Sequence, residues 1–322
     1  MIPIRDTIQS RRIPIINYTL IGLNIFFYIV QLDQGVNEEA FIFLYGLLPA
    51  RFSIPEVAYH FTLFQQFFSF ISYMFLHGGF LHLLGNIWTL YIFGDNVEDY
   101  LGPMPYLFFY LLCGIASGLA HVATNWFSPT PTIGASGAIA GVMGAYFLLH
   151  PKAKILTLVP IFFIPYFVEI YAFVFLGIWF LLQVVNATGS SAEVAGIAWW
   201  AHIGGFVFGI VLLNFISRMP DSEFNQFMKT KTIRSKSYHL QVIRPYSISN
   251  EDPHLYGTIQ VLPSEALNGS RKVVNIPKGL HDRLIRISIP EGIQNGFILR
   301  LNGQGKQISN QQGDLLLTVN II

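Results

Sequence analysis

Six apolar segments occupy the first two-thirds of this 322-residue chain. A helix needs roughly 20 residues to cross a bilayer, and because some segments are shorter, we expect their ends to borrow residues from flanking loops. The pattern predicts a polytopic all-α membrane bundle of six transmembrane helices. The segments lie at about 15–32, 79–93, 104–124, 134–150, 166–185 and 195–216.

Charged residues are distributed unevenly along the chain. Residues 1–217 contain 6 Lys and Arg and 10 Asp and Glu, whereas residues 218–322 contain 13 and 8. The split predicts a membrane domain over 1–217, a polar linker over 218–238 and a small soluble domain over 239–322. The excess positive charge of the last part suits contact with anionic lipid headgroups. We expect no nucleic-acid partner, because no motif for one is present.

Lys and Arg also predict the orientation, because they are enriched in cytoplasmic loops. They precede the first segment (Arg5, Arg11 and Arg12), follow the fourth (Lys152 and Lys154) and follow the sixth. We therefore expect an integral protein of the cell's inner or plasma membrane with both termini in the cytoplasm. Segments two, four and six would then all begin at the outer face.

Those three segments place polar side chains at similar depth. His82 and Asn86 lie near the start of the second segment, Ser136 near the start of the fourth and His202 about two turns into the sixth. Polar residues inside a bilayer are costly and usually face the bundle interior or a water-filled cavity. We therefore expect these four side chains to share one site.

Two G-x-x-x-G motifs lie beside the serine and the histidine, at 137–141 and 205–209. Small residues four apart let two helix backbones approach closely. A single motif of this kind indicates packing and nothing more. If the two faces meet, however, Ser136 and His202 come within hydrogen-bond distance, and a neutral histidine that accepts the serine proton creates a nucleophile.

Acyl transfer also needs hydrogen-bond donors for the developing oxyanion. The start of the fourth helix offers free backbone N–H groups, including that of Ser136. His82 and Asn86 are four residues apart on one helix face, and both can donate; the alternative is that each only links helices. The acidic residues that follow the second segment begin at Asp95, about 20 Å along the helix from His82. The sequence therefore favours a Ser–His dyad over a triad.

The remaining candidates have structural interpretations. The one cysteine, Cys113, excludes an internal disulfide framework and a cysteine-rich zinc site. We expect no cofactor and no metal. His77, His121 and His150 are interpreted as packed or hydrogen-bonded histidines.

The motifs resemble those of the rhomboid family of intramembrane serine proteases. GASGAIAG is similar to its serine motif, AHIGGFVFG to its histidine motif and HGGFLHLLGN to its second-helix motif, in the right order over about residues 15–216. The resemblance implies cleavage of single-span membrane proteins, with Ser136 as nucleophile and His202 as general base. It also implies that His82, Asn86 and the Ser136 amide stabilise the oxyanion, and that the fifth helix is part of a lateral gate.

Two positions differ from the family pattern. Some members have a tyrosine one turn after the serine that packs on the catalytic histidine, and this chain has Ala140 there. Many members have a Trp-Arg pair in the first loop, where this chain has Phe68 and Ser69. The first difference leaves the orientation of His202 to other neighbours, and the second removes the pair that anchors the first loop in many members.

The last part of the chain reads as short alternating strands divided by Gly, Asn and Pro turns, which predicts an all-β sandwich. Residues from about 252 to 322 resemble the C-terminal client-binding domain of DnaJ-type co-chaperones. The resemblance implies that unfolded or exposed protein segments bind along a sheet edge. The alternative is a domain that serves only folding or stability. The sequence contains no His-Pro-Asp tripeptide and no zinc-binding cysteine pattern.

Two functions remain open. The first is an active intramembrane protease whose cytoplasmic tail recruits clients. The second is a catalytically silent membrane chaperone or adaptor that binds transmembrane helices. The pair Ser136 and His202 favours the protease, because a binding protein has no need of it. A transporter is disfavoured, because the polar residues cluster near one face and not at mid-membrane between repeats.

Overall fold

The computed structural model describes residues 1–161, 164–189, 198–218, 220–233, 240–249, 251–277, 283–308 and 311–322. The chain forms two compact units, Met1–Arg234 and Ser235–Ile322. Each unit has a hydrophobic core of its own.

The first unit is mainly helical. Its helices are α1 (Ile15–Asp33), α2 (Glu38–Tyr45), α3 (Ala50–Ser53), α4 (Pro55–Ala58), α5 (Leu63–Ser72), α6 (Phe80–Leu101), α7 (Pro103–Thr124), α8 (Ser136–Leu149), α9 (Ala172–Gly189), α10 (Trp199–Ile216) and α11 (Glu223–Lys231).

Each of the six predicted segments corresponds to a helix, but six full spans are not confirmed. Among the described residues, α1, α7, α9 and α10 are long and apolar enough to cross a membrane. The stretch from α5 to the end of α6 is a fifth candidate that bends by 81°. Helix α8 is apolar but has 14 residues. The structure therefore has four candidate spans, or five with the bent pair.

Helix α8 lies at the centre of the first unit, packed against α6, α7 and α10. Ten of its residues, Gly137–Tyr146, are buried. A Cβ atom on Gly205 of α10 would overlap the Gly137 carbonyl oxygen, and one on Gly209 would overlap the Gly141 carbonyl oxygen. The two G-x-x-x-G faces therefore meet backbone to backbone, a contact that only glycine permits.

The start of the predicted fifth transmembrane segment, at residue 166, is wrong. Strands β1 (Ile2–Asp6), β2 (Lys154–Ile161) and β3 (Ile164–Tyr171) form an antiparallel sheet in that order. Residues 166–171 therefore belong to β3, and α9 begins at Ala172. A short continuous apolar run suits a strand as well as a helix, and here the β2–β3 pairing from Lys154–Tyr171 to Ile161–Ile164 decides for the strand.

Strand β1 is tied to the helices through its last residue. The Asp6 carboxylate accepts hydrogen bonds from the Tyr146 hydroxyl of α8 and from Asn96 of α6, the latter at 3.0 Å. Burial raises the pKa of the Asp6 carboxyl to about 7, against the lowering effect of the Tyr146 hydrogen bond. Desolvation therefore favours the protonated form of this partly buried carboxyl.

Acidic residues at the end of α6 stabilise the start of α1. Glu98 accepts hydrogen bonds from the backbone N–H groups of Ile16 at 3.1 Å and Asn17 at 2.7 Å. These donors lie in the first turn of α1 and have no partner within the helix. Asp99 forms an ion pair with Arg12 at 3.2 Å. Both carboxylates thus have structural partners away from the predicted dyad.

The loop between α1 and α6 is anchored by Arg51. This side chain is fully buried. Its guanidinium donates to the Phe43 carbonyl oxygen at 2.9 Å and lies 4.0 Å from the centre of the Phe61 ring. The anchor that Phe68 and Ser69 cannot supply therefore comes from an arginine earlier in the loop.

Part of the predicted linker over 218–238 is an ordered helix. Helix α11 begins after Ser222, whose hydroxyl accepts a hydrogen bond from the Asn225 N–H at 3.2 Å. The Asn225 side chain is buried and donates to the Leu101 carbonyl oxygen at 3.0 Å. Arg12 donates to the Lys229 carbonyl oxygen at 3.0 Å. These contacts attach α11 to the end of α6 and to the segment before α1, within the first unit.

The second unit is rich in β-structure, as predicted. It contains β4 (Leu240–Val242), β5 (Leu255–Val261), α12 (Pro263–Asn268), β6 (Ser270–Asn275), β7 (Leu284–Ile289), β8 (Ile298–Leu301), β9 (Gln307–Ile308), β10 (Gln311–Gln312) and β11 (Leu315–Ile321). The described strands form three sheets in the orders β5-β11-β8, β4-β6-β7 and β10-β9.

The two three-stranded sheets share one core, as in a sandwich. Ile259 and Leu317 come from the first sheet, and Val274 and Ile287 from the second; all four are buried in one cluster. Strands β5 and β11 pair in parallel, and β11 pairs with β8 antiparallel.

Candidate active site

The N-terminal ends of α6, α8 and α10 meet at a cavity of about 890 Å³. The four predicted site residues His82, Asn86, Ser136 and His202 all line it. Ser136 is the first residue of α8. His202 is the fourth residue of α10, so it lies in the first turn and not two turns into the helix as the sequence suggested.

Ser136 and His202 are hydrogen bonded to each other. The Ser136 Oγ atom lies 2.8 Å from His202 Nε2. Gly137 comes directly after the serine, and Gly205 lies within one turn of the histidine. The distance therefore depends on the contact between α8 and α10 through these glycines. The geometry allows the imidazole to accept the hydroxyl proton and so create an alkoxide-like nucleophile.

Two tryptophans and an amide surround the His202 ring. The ring centres of Trp179 and Trp199 lie 5.9 and 6.3 Å from its own. They supply the aromatic contacts that Ala140 cannot. Gln183 Oε1 lies 2.8 Å from His202 Nδ1. The sequence analysis missed Gln183, although a strongly polar residue within an apolar segment is itself a signal of function.

His82 presents a donor to the cavity. The Gly78 backbone N–H donates to His82 Nδ1 at 3.2 Å, so in the neutral ring the proton is on Nε2. A Cβ atom on Gly134 would lie 2.7 Å from that Nε2, and Gly134 has φ +123. Glycine is needed at this position both for the backbone conformation and for the close approach of the imidazole. The His82 N–H is thus held against the backbone two residues before Ser136.

Asn86 offers a second donor. Its side chain is 7% exposed, and Nδ2 has no hydrogen-bond partner among the described residues. A buried donor without a partner is destabilising, and such a group beside a cavity is suited to a ligand. With the free N–H groups at the start of α8, the site has three kinds of donor near the Ser136 hydroxyl.

The other histidines keep their structural interpretation. The His121 Nε2 atom lies 2.5 Å from Thr132 Oγ1. The His77 ring packs edge-on against His82 with ring centres 5.2 Å apart, and the His150 ring packs on Tyr146 at 5.1 Å. Within the described ranges there is no cluster of three or more His, Cys, Asp or Glu residues that could hold a metal ion.

Comparison with known families identifies both parts of the chain. The family model of the rhomboid domain matches residues 65–219, and that of the DnaJ C terminal domain matches residues 240–322. The chain carries a rhomboid domain followed by a DnaJ C-terminal domain. With at least four apolar helices, it is an integral membrane protein. The rhomboid match includes all four predicted site residues and Gln183.

Curated relatives support the first assignment. Rhomboid protein 1, mitochondrial, of Saccharomyces cerevisiae is 31% identical over 216 residues, which cover 64% of this chain and 54% of the relative. Rhomboid-like protein 11, chloroplastic, of Arabidopsis thaliana is 26% identical over 182 residues, covering 52% and 58%. Rhomboid protease GluP of Bacillus subtilis is 27% identical over 199 residues, covering 61% and 34%. The chain therefore spans about half the length of the first two relatives.

Proposed function

We propose that the protein is an intramembrane serine endopeptidase of the rhomboid type. The observation that carries this proposal is the 2.8 Å hydrogen bond between Ser136 Oγ and His202 Nε2, in a cavity that His82 and Asn86 also line. The proposed substrate class is single-span membrane proteins, as the resemblance to rhomboid proteases implies, and a nucleophile at the end of a helix within the apolar bundle is consistent with it. The distribution of Lys and Arg supports a topology in which this end lies at the outer face and both termini lie in the cytoplasm.

The proposed reaction proceeds in two acyl-transfer steps. His202 takes the proton of Ser136 as Oγ attacks the scissile carbonyl carbon. The resulting oxyanion accepts hydrogen bonds from the Ser136 N–H, His82 Nε2–H and Asn86 Nδ2–H. The imidazolium then gives its proton to the leaving amine, and water hydrolyses the acyl-enzyme with His202 again as base.

The competing proposal is a silent rhomboid that binds transmembrane helices without cleaving them. A fluorophosphonate probe separates the two, because it reacts with an activated serine and not with an ordinary hydroxyl. We expect the purified protein to be labelled at Ser136, and labelling to disappear in Ser136→Ala and in His202→Ala. Measurement is by in-gel fluorescence and peptide mass mapping.

The matched control for labelling is Ser217→Ala, since this serine lies at the opposite end of α10 and its hydroxyl donates to the Asn214 carbonyl oxygen at 3.1 Å. It should be labelled like the parent. Equal labelling of the parent and His202→Ala proteins would exclude a histidine-activated serine and favour the silent form.

For the second unit we propose recruitment of clients to the membrane domain. The support is its match to the DnaJ C-terminal domain and its predicted position on the cytoplasmic side. Exposed apolar segments of misfolded proteins would add to an edge of one of its sheets. The alternative is a unit that contributes only to stability.

Deletion of residues 240–322 tests this role, since the first unit has a separate core. We expect the deletion to slow cleavage of a misfolded single-span substrate with a cytoplasmic domain several-fold. Cleavage of a short reporter without such a domain should not change. The rates are measured side by side in proteoliposomes, and equal slowing of both substrates, or of neither, would contradict recruitment.

A further inference from the structure

Helix α9 contributes one buried polar side chain to the site. Gln183 is 5% exposed, and the other buried residues of this helix are Ala172, Phe175 and Leu176. An amide buried in an apolar helix is destabilising unless its polar atoms are hydrogen bonded. Both ends of the Gln183 amide have partners, and these partners define which way the amide points.

The nitrogen end of the amide is assigned by a backbone carbonyl. Gln183 Nε2 donates to the Trp179 carbonyl oxygen at 3.1 Å, one turn earlier in α9. A carbonyl oxygen can only accept, so the reversed amide would place two acceptors against each other. The oxygen end therefore faces His202, with Oε1 2.8 Å from Nδ1.

The assignment of the amide determines the tautomer of the histidine. Because Gln183 Oε1 can only accept, the hydrogen between it and the ring must be on His202 Nδ1. In the neutral imidazole Nε2 then has the free lone pair, and Nε2 is the atom 2.8 Å from Ser136 Oγ. We propose that Gln183 is the positioning residue that holds His202 in the tautomer and ring orientation able to accept the serine proton.

A neutral amide suits this position in an apolar bundle. A carboxylate would bring a buried charge, which is costly unless it is paired and fully hydrogen bonded. The other titratable groups that act on His202 are His82 from α6 and His121 from α7, and no carboxylate among the described residues is hydrogen bonded to it. Since Gln183 and His202 lie on different helices, their bond exists only while α9 packs against α10.

The proposal rests on the proposed protease function, and two substitutions test it. Gln183→Met keeps the length and most of the volume but removes the acceptor. We expect kcat for a single-span reporter to fall about tenfold to a hundredfold, as for the loss of one oriented catalytic contact, with KM within about twofold of the parent. Gln183→Glu keeps an acceptor at the same place and should retain more activity than Gln183→Met.

The pH profile supplies a readout that packing alone would not move. A carboxylate beside Nδ1 stabilises the imidazolium, so the acid limb of kcat/KM for Gln183→Glu should shift to higher pH by about one unit or more. Thermal unfolding in detergent shows whether each variant is folded.

The outcomes separate the two proposals. If the parent is labelled and cleaves the reporter but folded Gln183→Met cleaves equally well, the positioning role is wrong and the protease function stands. Even if Gln183→Met does not fold, a folded Gln183→Glu protein with an unchanged acid limb and most of its kcat lost overturns the positioning role, because an acceptor is still present beside Nδ1. A parent protein that neither cleaves nor is labelled overturns both proposals.

Discussion

Replacing Ser136 with Ala is expected to reduce cleavage of a single-span reporter by at least about a thousandfold, to the background of empty proteoliposomes. The variant retains the donors of the oxyanion site and the cavity, but it has no atom that can form the acyl-enzyme. The rate is measured by the appearance of a new terminus within or beside the transmembrane segment of the reporter.

The substitution should leave the fold intact, because it removes one oxygen atom from a side chain at the start of α8. Thermal unfolding of parent and variant in detergent provides this control. A Ser136→Ala protein that is folded and cleaves at the parental rate would exclude Ser136 as the nucleophile. In cells, the same pair of proteins can reveal substrates, since new termini at transmembrane segments should appear only with the parent.

The second large effect is expected from Gly209→Ala, seven residues or about two helical turns after His202. Its Cβ atom would overlap the backbone carbonyl oxygen of Gly141, and a backbone atom cannot rotate away. Helix α10 must therefore move from α8. Overpacking of this kind costs about 1–3 kcal/mol of stability, and a 1 Å displacement of a catalytic group can cost about a hundredfold in rate.

We therefore expect Gly209→Ala to unfold at lower temperature and to cleave the reporter about a hundredfold more slowly than the parent. Gly22→Ala is the matched control, because nothing lies within 4 Å of a Cβ atom at this position in α1. Alanine favours a helix over glycine by about 1 kcal/mol, so the control should be as stable as the parent or slightly more stable. Parental activity and stability in Gly209→Ala would show that the helices do not meet through these glycines.

The membrane bundle and the β-rich tail were predictable because both depend on local patterns. Apolar segments of membrane-spanning length indicate helices, and alternating short strands with Gly, Asn and Pro turns indicate a sheet domain. The family resemblances rest on motifs of this local kind, and both are confirmed by the family matches at 65–219 and 240–322.

The sequence-based predictions differ from the structure at two places where composition alone cannot distinguish one kind of secondary structure from another. Residues 166–171 are mostly apolar and adjoin the apolar segment of α9, but pairing with β2 makes them a strand. The polar composition of 218–238 suggests a linker, whereas Ser222 and Asn225 start and anchor a helix there. In both cases a partner distant in sequence made the difference.

The candidate site also has features that the sequence predicts and features that only the structure reveals. Ser136 at a helix start, the glycine faces beside it and beside His202, and the spacing of His82 and Asn86 are local features that could be read without coordinates. The anchoring of the first loop by Arg51 and the contact between Gln183 and His202 could not. Each depends on the rotation and packing of whole helices, which bring together residues that are far apart in the sequence. The sequence was therefore enough to propose a nucleophile and its base, and the packing of α9 on α10 was needed to propose which residue holds the base in place.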